Sequence, residues 1–112
     1  MSKRQDTILV EDIILSMRKI EQYAKDCSSL GEFEADYKTV DAVIRNLEII
    51  GEAAHHLSSE FKEQNSSIEW IKLVGLRNRI VHGYFCVDLS IVWQILSFDL
   101  KKLKLALEEL HL

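Results

Sequence analysis

The residues from 76 to 84, Leu-Arg-Asn-Arg-Ile-Val-His-Gly-Tyr, gather more side chains able to do chemistry than any other stretch of the chain. Among them are Arg77, Asn78, His82 and Tyr84. An arginine stabilises negative charge on a phosphate, and a histidine moves a proton near neutral pH. Together they supply what phosphodiester chemistry needs when no metal takes part.

The spacing of Arg77 and His82 sets a condition on the backbone. On a straight helix, five steps of about 100° would place these two side chains about 140° apart, whereas Arg77 and Tyr84 would nearly coincide. A shared substrate therefore requires a helix that ends or kinks near Gly83, or a groove between two copies of the chain. The alternative is purely structural, because basic residues and a final glycine are also typical of a helix C-terminus, where His82 would cap a carbonyl.

The composition limits the class of protein. A chain of 112 residues, 47% of them hydrophobic and 29% charged, is expected to form a single folded domain, residues 1–112. No apolar run reaches membrane-spanning length and no signal-peptide core follows the N-terminus, so we expect a cytoplasmic protein. The formal net charge of −4 means that any RNA must be bound by a local basic cleft. Cys27 and Cys86 are expected to be free thiols.

The apolar periodicity predicts an all-α, up-down helical bundle of four main helices plus a short one. Proline is absent and glycine occurs four times, which favours long helices. The expected helices span about 5–25, 39–62, 68 to 81 or beyond, and 89–110, with a short turn of helix from Ser29 through Phe33. Their expected N-terminal signals are capping boxes at Ser29–Glu32 and Ser66–Glu69 and an N-cap at Asp88.

The fourth predicted helix has an apolar surface broader than one side of a small bundle requires. Part of this surface is therefore expected to form a subunit interface, which would make the protein a homodimer.

Two segments resemble one family. Residues 75–85, Gly-Leu-Arg-Asn-Arg-Ile-Val-His-Gly-Tyr-Phe, are similar to the R-x4-H-x-Y signature of the HEPN superfamily, specifically its HepT-like group. Residues 42–54, Ala-Val-Ile-Arg-Asn-Leu-Glu-Ile-Ile-Gly-Glu-Ala-Ala, resemble the long second helix of the same group. Trp70, Asp88 and Trp93 also fall where that group tends to place them, and Glu69 replaces a frequent proline. The resemblance covers residues 39–93.

The resemblance implies a metal-independent endoribonuclease, the toxin of a type VII toxin–antitoxin pair, with no cofactor. His82 would act as general base or acid, and Arg77 would clamp the phosphate of the RNA substrate. Asn78 would orient His82 or a phosphate oxygen. The 2′-hydroxyl of the RNA would be the nucleophile, and a 2′,3′-cyclic phosphate would be left.

The resemblance also implies a partner and a modification. The partner would be an MntA-type nucleotidyltransferase antitoxin, which transfers AMP groups onto the tyrosine of the H-x-Y pair, here Tyr84. The added phosphates would bring negative charge beside Arg77 and His82 and repel RNA.

Weaker patterns and rival functions remain open. A polar stripe on the second long helix is interpreted as a solvated face with ion pairs, although Arg45 or Glu52 would alternatively support the site. Adjacent histidines at 55 and 56 point about 100° apart on a helix, so no metal site is expected there.

Two functions other than a ribonuclease are also consistent with the sequence. The first is a non-catalytic nucleotide-binding or interaction subunit of a nucleotidyltransferase, and the second is a plain dimerisation module.

Overall fold

The computed structural model describes residues 3–80 and 86–110, without the side chain of Lys3. In chain order the helices are α1 (Lys3–Ala24), α2 (Leu30–Ala35), α3 (Tyr37–His56), α4 (Ser59–Gln64), α5 (Trp70–Val74), α6 (Leu76–Ile80) and α7 (Leu89–Gln94), then a π-helical turn (Ile95–Asp99) and α8 (Leu100–Glu108). Over the described residues this confirms the predicted all-α fold. None of the described helices is both long and apolar enough to cross a membrane.

The two longest helices, α1 and α3, form the most extensive contact between elements of the fold. Their buried positions recur every three or four residues, as expected for amphipathic helices packed face to face: Val10, Ile13, Met17 and Ile20 on α1, and Val43, Leu47, Ile50 and Ala54 on α3. This agrees with the helical apolar period from which both long helices were predicted, although Ile8 on α1 is 47% exposed.

The predicted second helix, 39–62, is interrupted after His56. The Ser58 hydroxyl caps α4 by accepting a hydrogen bond from the Phe61 N–H at 3.2 Å. The buried Asp6 carboxylate accepts hydrogen bonds from the Ser58 N–H at 2.9 Å and from the Ser58 hydroxyl at 2.7 Å. These bonds stabilise an extended backbone at positions 57 and 58, where continuous helix was expected.

The predicted third helix is divided into α5 and α6 at Gly75. Its expected capping box at Ser66–Glu69 is wrong, because Glu69 is itself the N-cap residue, makes no side-chain capping bond and pairs with Lys72 at 3.0 Å. At the division the Gly75 N–H donates to the Ile71 carbonyl at 2.9 Å, and a Cβ on Gly75 would lie 3.1 Å from that oxygen. Whether helix continues beyond Ile80 falls outside the described residues.

The predicted fourth helix begins where expected and contains an irregularity. Asp88 is its N-cap, and its carboxylate accepts from the N–H groups of Ser90 and Ile91 at 3.0 and 3.3 Å. At Ser29 the hydroxyl likewise caps α2, accepting from the Glu32 N–H at 3.2 Å. The irregularity is the π-helical turn between α7 and α8, which the periodicity did not predict.

Two aromatic contacts fix short helices to one another. The rings of Phe61 and Trp70 lie 5.7 Å apart and join α4 to α5, and the Trp70 indole N–H donates to the Asn65 carbonyl at 3.1 Å. The rings of Phe33 and Trp93 lie 5.5 Å apart and join α2 to α7. Helices of five or six residues are unstable alone, so contacts of this kind determine where they lie.

Candidate active site

The helix α6 carries Arg77 and Asn78, and apolar anchors hold it on the bundle. Leu76 and Ile80, four residues apart, are 2% and 1% exposed. They face inward, and α6 packs against α3 and α7. Because the anchors occupy one side of a short helix, the three residues between them must point away from the core.

The approach of α5 to α3 depends on Gly51. A Cβ at this buried position would lie 3.3 Å from the Leu73 carbonyl oxygen and 3.6 Å from that of Val74. Both carbonyls belong to the last turn of α5, immediately before α6. The absence of a side chain at residue 51 therefore lets α3 support the segment that places α6.

The three outward residues of α6 are Arg77, Asn78 and Arg79, all exposed. At about 100° per residue, the two arginines lie on opposite flanks of Asn78, about 160° apart around the helix axis. They therefore face different neighbours, although only one residue separates them in the sequence.

The two arginines differ in their partners. The Nη1 atom of Arg79 is 3.0 Å from Oδ2 of Asp99, the last residue of the π-helical turn. Arg77 makes no hydrogen bond or ion pair with the residues that the structure describes. An exposed guanidinium in this state has all its donors available to an anion, and its planar fork matches two oxygens of a phosphate.

His82 and Tyr84 lie outside the described residues, so their predicted roles stay predictions. The ends of the segment that contains them are nevertheless described. The Asp88 N–H donates to the Ile80 carbonyl at 2.7 Å, which joins the last residue of α6 to the N-cap of α7. In the sequence, His82 and Tyr84 lie between these two bonded residues, after the helix of Arg77 and Asn78.

The comparisons with known proteins agree in one family. The family model described as Ribonuclease HepT-like matches residues 13–110. The chain belongs to the ribonuclease HepT-like family. It is similar to a provisionally named RNase of Methanocaldococcus jannaschii, with 37% identity over 108 residues that cover 96% of this chain and 98% of the relative.

Two further relatives come from other organisms. A provisionally named ribonuclease HepT of Thermococcus cleftensis is 35% identical over 109 residues, which cover 97% of this chain and 98% of the relative. A provisionally named RNase of Caldanaerobacter subterraneus is 34% identical over 82 residues, or 73% of each chain. No solved structure gives a significant match.

Membership in the HepT-like family confirms the resemblance found in residues 42–54 and 75–85, and ribonuclease is the enzyme class that was predicted. The matched range includes α6 and the connection after it. The roles of Arg77, Asn78, His82 and Tyr84 are not assigned by these matches.

A groove of about 550 Å³ lies beside α6 on the flank of Arg79. Residues of α5, α6, the π-helical turn and α8 line it, and both Arg79 and Asp99 are among them. Arg77 and Asn78 do not line it. Neither this groove nor the Arg79–Asp99 pair could be predicted from the sequence, because residues 79 and 99 are twenty apart and the unpredicted π-helical turn determines where Asp99 lies.

The polar stripe on α3 is solvated, as interpreted. Asp41, Arg45, Glu48, Glu52 and both histidines are exposed. His56 Nε2 lies 2.9 Å from Glu52 Oε1, an (i, i+4) contact along the helix. In the described part of the chain, no group of three or more His, Cys, Asp and Glu side chains could hold a metal ion. Among the described residues, neither Arg45 nor Glu52 makes a hydrogen bond or ion pair with α6, and the Glu52 carboxylate contacts His56 instead.

Proposed function

We propose that this chain is a metal-independent endoribonuclease that cleaves RNA through Arg77 and His82. One observation carries the proposal: of the two arginines on α6, Arg79 is paired with Asp99, whereas Arg77 is exposed and has no partner among the described residues. The arginine at the first position of the Arg-x4-His motif is therefore the one free to receive a phosphate. Family membership supports RNA as the source of that phosphate.

The proposed reaction uses atoms of the substrate and of this chain. The RNA 2′-hydroxyl attacks the adjacent phosphorus as its proton is removed, and the bond from phosphorus to the leaving 5′-oxygen breaks. His82 transfers one of the protons, either from the nucleophile or to the 5′-oxygen. Arg77 donates hydrogen bonds to the phosphate oxygens as their charge grows in the transition state. The products are a 2′,3′-cyclic phosphate and a 5′-hydroxyl.

Asn78 has a supporting role in this scheme. It is exposed at the centre of the outer side of α6, between the two arginines. Its amide offers both a donor and an acceptor, so it would orient the imidazole of His82 or bind a phosphate oxygen.

The regulatory part of the proposal concerns Tyr84. We propose that the chain is the toxin of a type VII toxin–antitoxin pair in the cytoplasm and that an MntA-type nucleotidyltransferase antitoxin transfers AMP to Tyr84. Each added AMP brings a phosphate close in sequence to His82, where its charge would compete with RNA for Arg77. Intact mass and RNA cleavage, measured before and after incubation with the antitoxin and ATP, test this step.

The proposed assembly is a homodimer. Its support is apolar surface on the last helix: Phe98 is 75% exposed and Leu105, seven residues later, is 50% exposed. Large apolar side chains exposed together are typical of subunit interfaces. Sedimentation of wild type and Phe98→Glu tests this part, because a dimer that uses this surface would dissociate in the variant and a monomeric wild type would contradict it.

The central experiment is cleavage of mixed RNA in excess EDTA, with protein whose mass shows an unmodified Tyr84. His82→Ala and Arg77→Ala are each expected to lower kcat by about 10²–10⁴-fold. Arg18→Ala is the matched control, because Arg18 is also exposed but pairs with Glu108, away from α6. Cyclic phosphate ends in the wild-type products would support the mechanism. Wild-type protein that is inert on varied RNAs would favour the interaction-subunit alternative.

A further inference from the structure

We propose that Asp99 is a positioning residue for the ribonuclease site, acting through Arg79 to hold α6 at a fixed angle. The inference rests on the proposed function, because α6 carries the arginine and the asparagine that would contact RNA. Its basis is the 3.0 Å ion pair between Arg79 and Asp99, which joins α6 to the π-helical turn.

The π-helical turn is what brings Asp99 to Arg79. The buried side chains of the last helical segment are Val92, Ile95, Leu100 and Leu107. In a continuous α-helix, residue 99 would lie on the same side as Val92, seven positions earlier, and a carboxylate would face the core. The π-helical turn accommodates one extra residue, so Leu100 takes the core position and Asp99 moves to the edge. There it is 39% exposed and faces the groove.

The helix α6 needs such a contact because its other attachments leave one side open. Its described part, Leu76–Ile80, is little more than one turn, and a single turn of helix has little stability of its own. Leu76 and Ile80 fix its inner side, and the Ile80–Asp88 hydrogen bond fixes its end. On the Arg79 flank, however, the groove separates it from the π-helical turn and α8. The Arg79–Asp99 pair crosses this groove and limits rotation of α6 about its axis.

Rotation of α6 matters because Arg77 lies on the opposite flank. Because both arginines belong to α6, a rotation of this helix that moves Arg79 away from Asp99 turns Arg77 through the same angle. Displacements near 1 Å are large for catalysis, because the proton donor and the charge-stabilising group must both reach the same phosphate. The side chains of Arg79 and Asp99 are 42% and 39% exposed, so their pair adds little to global stability. The loss of the pair should therefore lower the rate far more than the stability.

The competing interpretation is that Arg79 itself binds RNA and Asp99 only neutralises it. The two interpretations predict opposite results for Asp99→Asn, which removes the charge and keeps the shape. If Asp99 positions α6, kcat falls about tenfold while KM stays within about twofold of wild type. If Arg79 is a phosphate ligand, the variant frees a guanidinium, KM falls and kcat is maintained, which would overturn the proposal.

The matched control is Glu108→Gln. Glu108 lies in α8, directly after the π-helical turn, and also makes a partly exposed ion pair, 2.6 Å from Arg18, but this pair joins α8 to α1 rather than to α6. Its kcat and KM should be those of wild type, and its Tm should shift as little as that of Asp99→Asn. An equal fall in kcat in both variants would overturn the positioning role.

The double variant Arg79→Asp with Asp99→Arg supplies the rescue test. It restores the ion pair with reversed charges, so a positioning role predicts recovery of most of the lost kcat. A direct RNA contact by Arg79 predicts no recovery, because the cation no longer lies on α6.

Hydrogen exchange separates the failure of this inference from the failure of the proposed function. The amides of Arg79 and Asp88 donate to the carbonyls of Gly75 and Ile80 at 3.0 and 2.7 Å. In Asp99→Asn both should exchange faster than in wild type and in Glu108→Gln. If wild type cleaves no RNA but this exchange pattern is found, the proposed function fails while Asp99 still holds α6. Unchanged exchange at both amides would overturn the inference.

Discussion

Two regions of the molecule are built in different ways. The α1–α3 pair consists of two uninterrupted helices of 22 and 20 residues whose buried side chains form much of the core. The segmented region, meaning the described part of residues 57–110, contains helices of five to nine residues separated by Ser58, Gly75 and a π-helical turn. The first region has the regularity that gives stability, and the second has the breaks that turn polar side chains outward.

The described residues of the candidate active site, Arg77 and Asn78, lie in the segmented region. The break at Gly75 divides α6 from α5, so these two short helices are placed separately. We therefore expect substitutions in the α1–α3 pair to change stability, and substitutions around α6 to change activity.

Leu47→Ala should have the largest effect on stability. Leu47 is completely buried in the middle of α3. Its truncation removes apolar contacts and leaves a cavity, which should lower the free energy of unfolding by about 2–5 kcal/mol. Denaturant titration measures the loss, and Glu48→Ala, exposed on the same helix, should stay within about 0.5 kcal/mol of wild type. Folded Leu47→Ala should retain the wild-type kcat on RNA. A large fall in its kcat would mean that the two regions are not separate in function.

Gly51→Ala should affect both regions, because Gly51 lies where α3 contacts α5. Alanine gains about 1 kcal/mol in helix propensity, but its Cβ would lie 3.3 Å from a backbone oxygen of α5, and crowding of this kind costs about 1–3 kcal/mol. We expect a net loss of about 1 kcal/mol in the free energy of unfolding. We also expect kcat to fall several-fold, since a shift of α5 moves α6.

Gly31→Ala is the control for this substitution. The nearest atom to its added Cβ is the Ser29 hydroxyl oxygen at 3.9 Å, so alanine fits there without displacement. It should keep the wild-type kcat and be at least as stable as wild type. If Gly51→Ala behaved in the same way, α5 would be free to move without consequence for the site.

The same contrast explains what the sequence could predict. In α1 and α3, propensity, apolar period and burial all favour helix, so both helices and most of their buried positions were predicted, although the second was expected to continue to 62 and ends at His56. The breaks at Ser58 and in the π-helical turn depend on distant partners: Ser58 is bonded to Asp6, 52 residues away. Likewise, Arg77 and Asn78 were predicted as site residues from their types and from the resemblance of residues 75–85 to the HepT-like signature, and their roles stay predictions. The difference between Arg77 and Arg79 was not predicted, because it depends on Asp99.

The N-terminal ends of α3 and α5 also differ, and this leads to a prediction about pH. The N-cap residue of α3 is Asp36, whose carboxylate accepts hydrogen bonds from the Thr39 hydroxyl at 2.7 Å and from the Thr39 N–H at 3.2 Å. The N-cap residue of α5, Glu69, makes no such side-chain bond. The two bonds from Thr39 hold the pKa of Asp36 below its ordinary value. A carboxyl group with a lowered pKa in the folded state stabilises the fold above its unfolded pKa of about 3.9, and that stabilisation is lost as the pH falls through the folded value.

The smallest expected effect is therefore a change in acid sensitivity at Asp36→Asn. Asparagine keeps an acceptor for the Thr39 N–H but does not titrate, so the variant should be slightly less stable than wild type near neutral pH. Its Tm should fall less steeply than that of wild type between about pH 4 and pH 2. Asp41→Asn, exposed on the same helix, controls for the lost charge. If the wild-type and Asp36→Asn curves stayed parallel throughout this range, the cap of α3 would make no measurable contribution to acid unfolding, and the acid-sensitive groups would have to lie elsewhere.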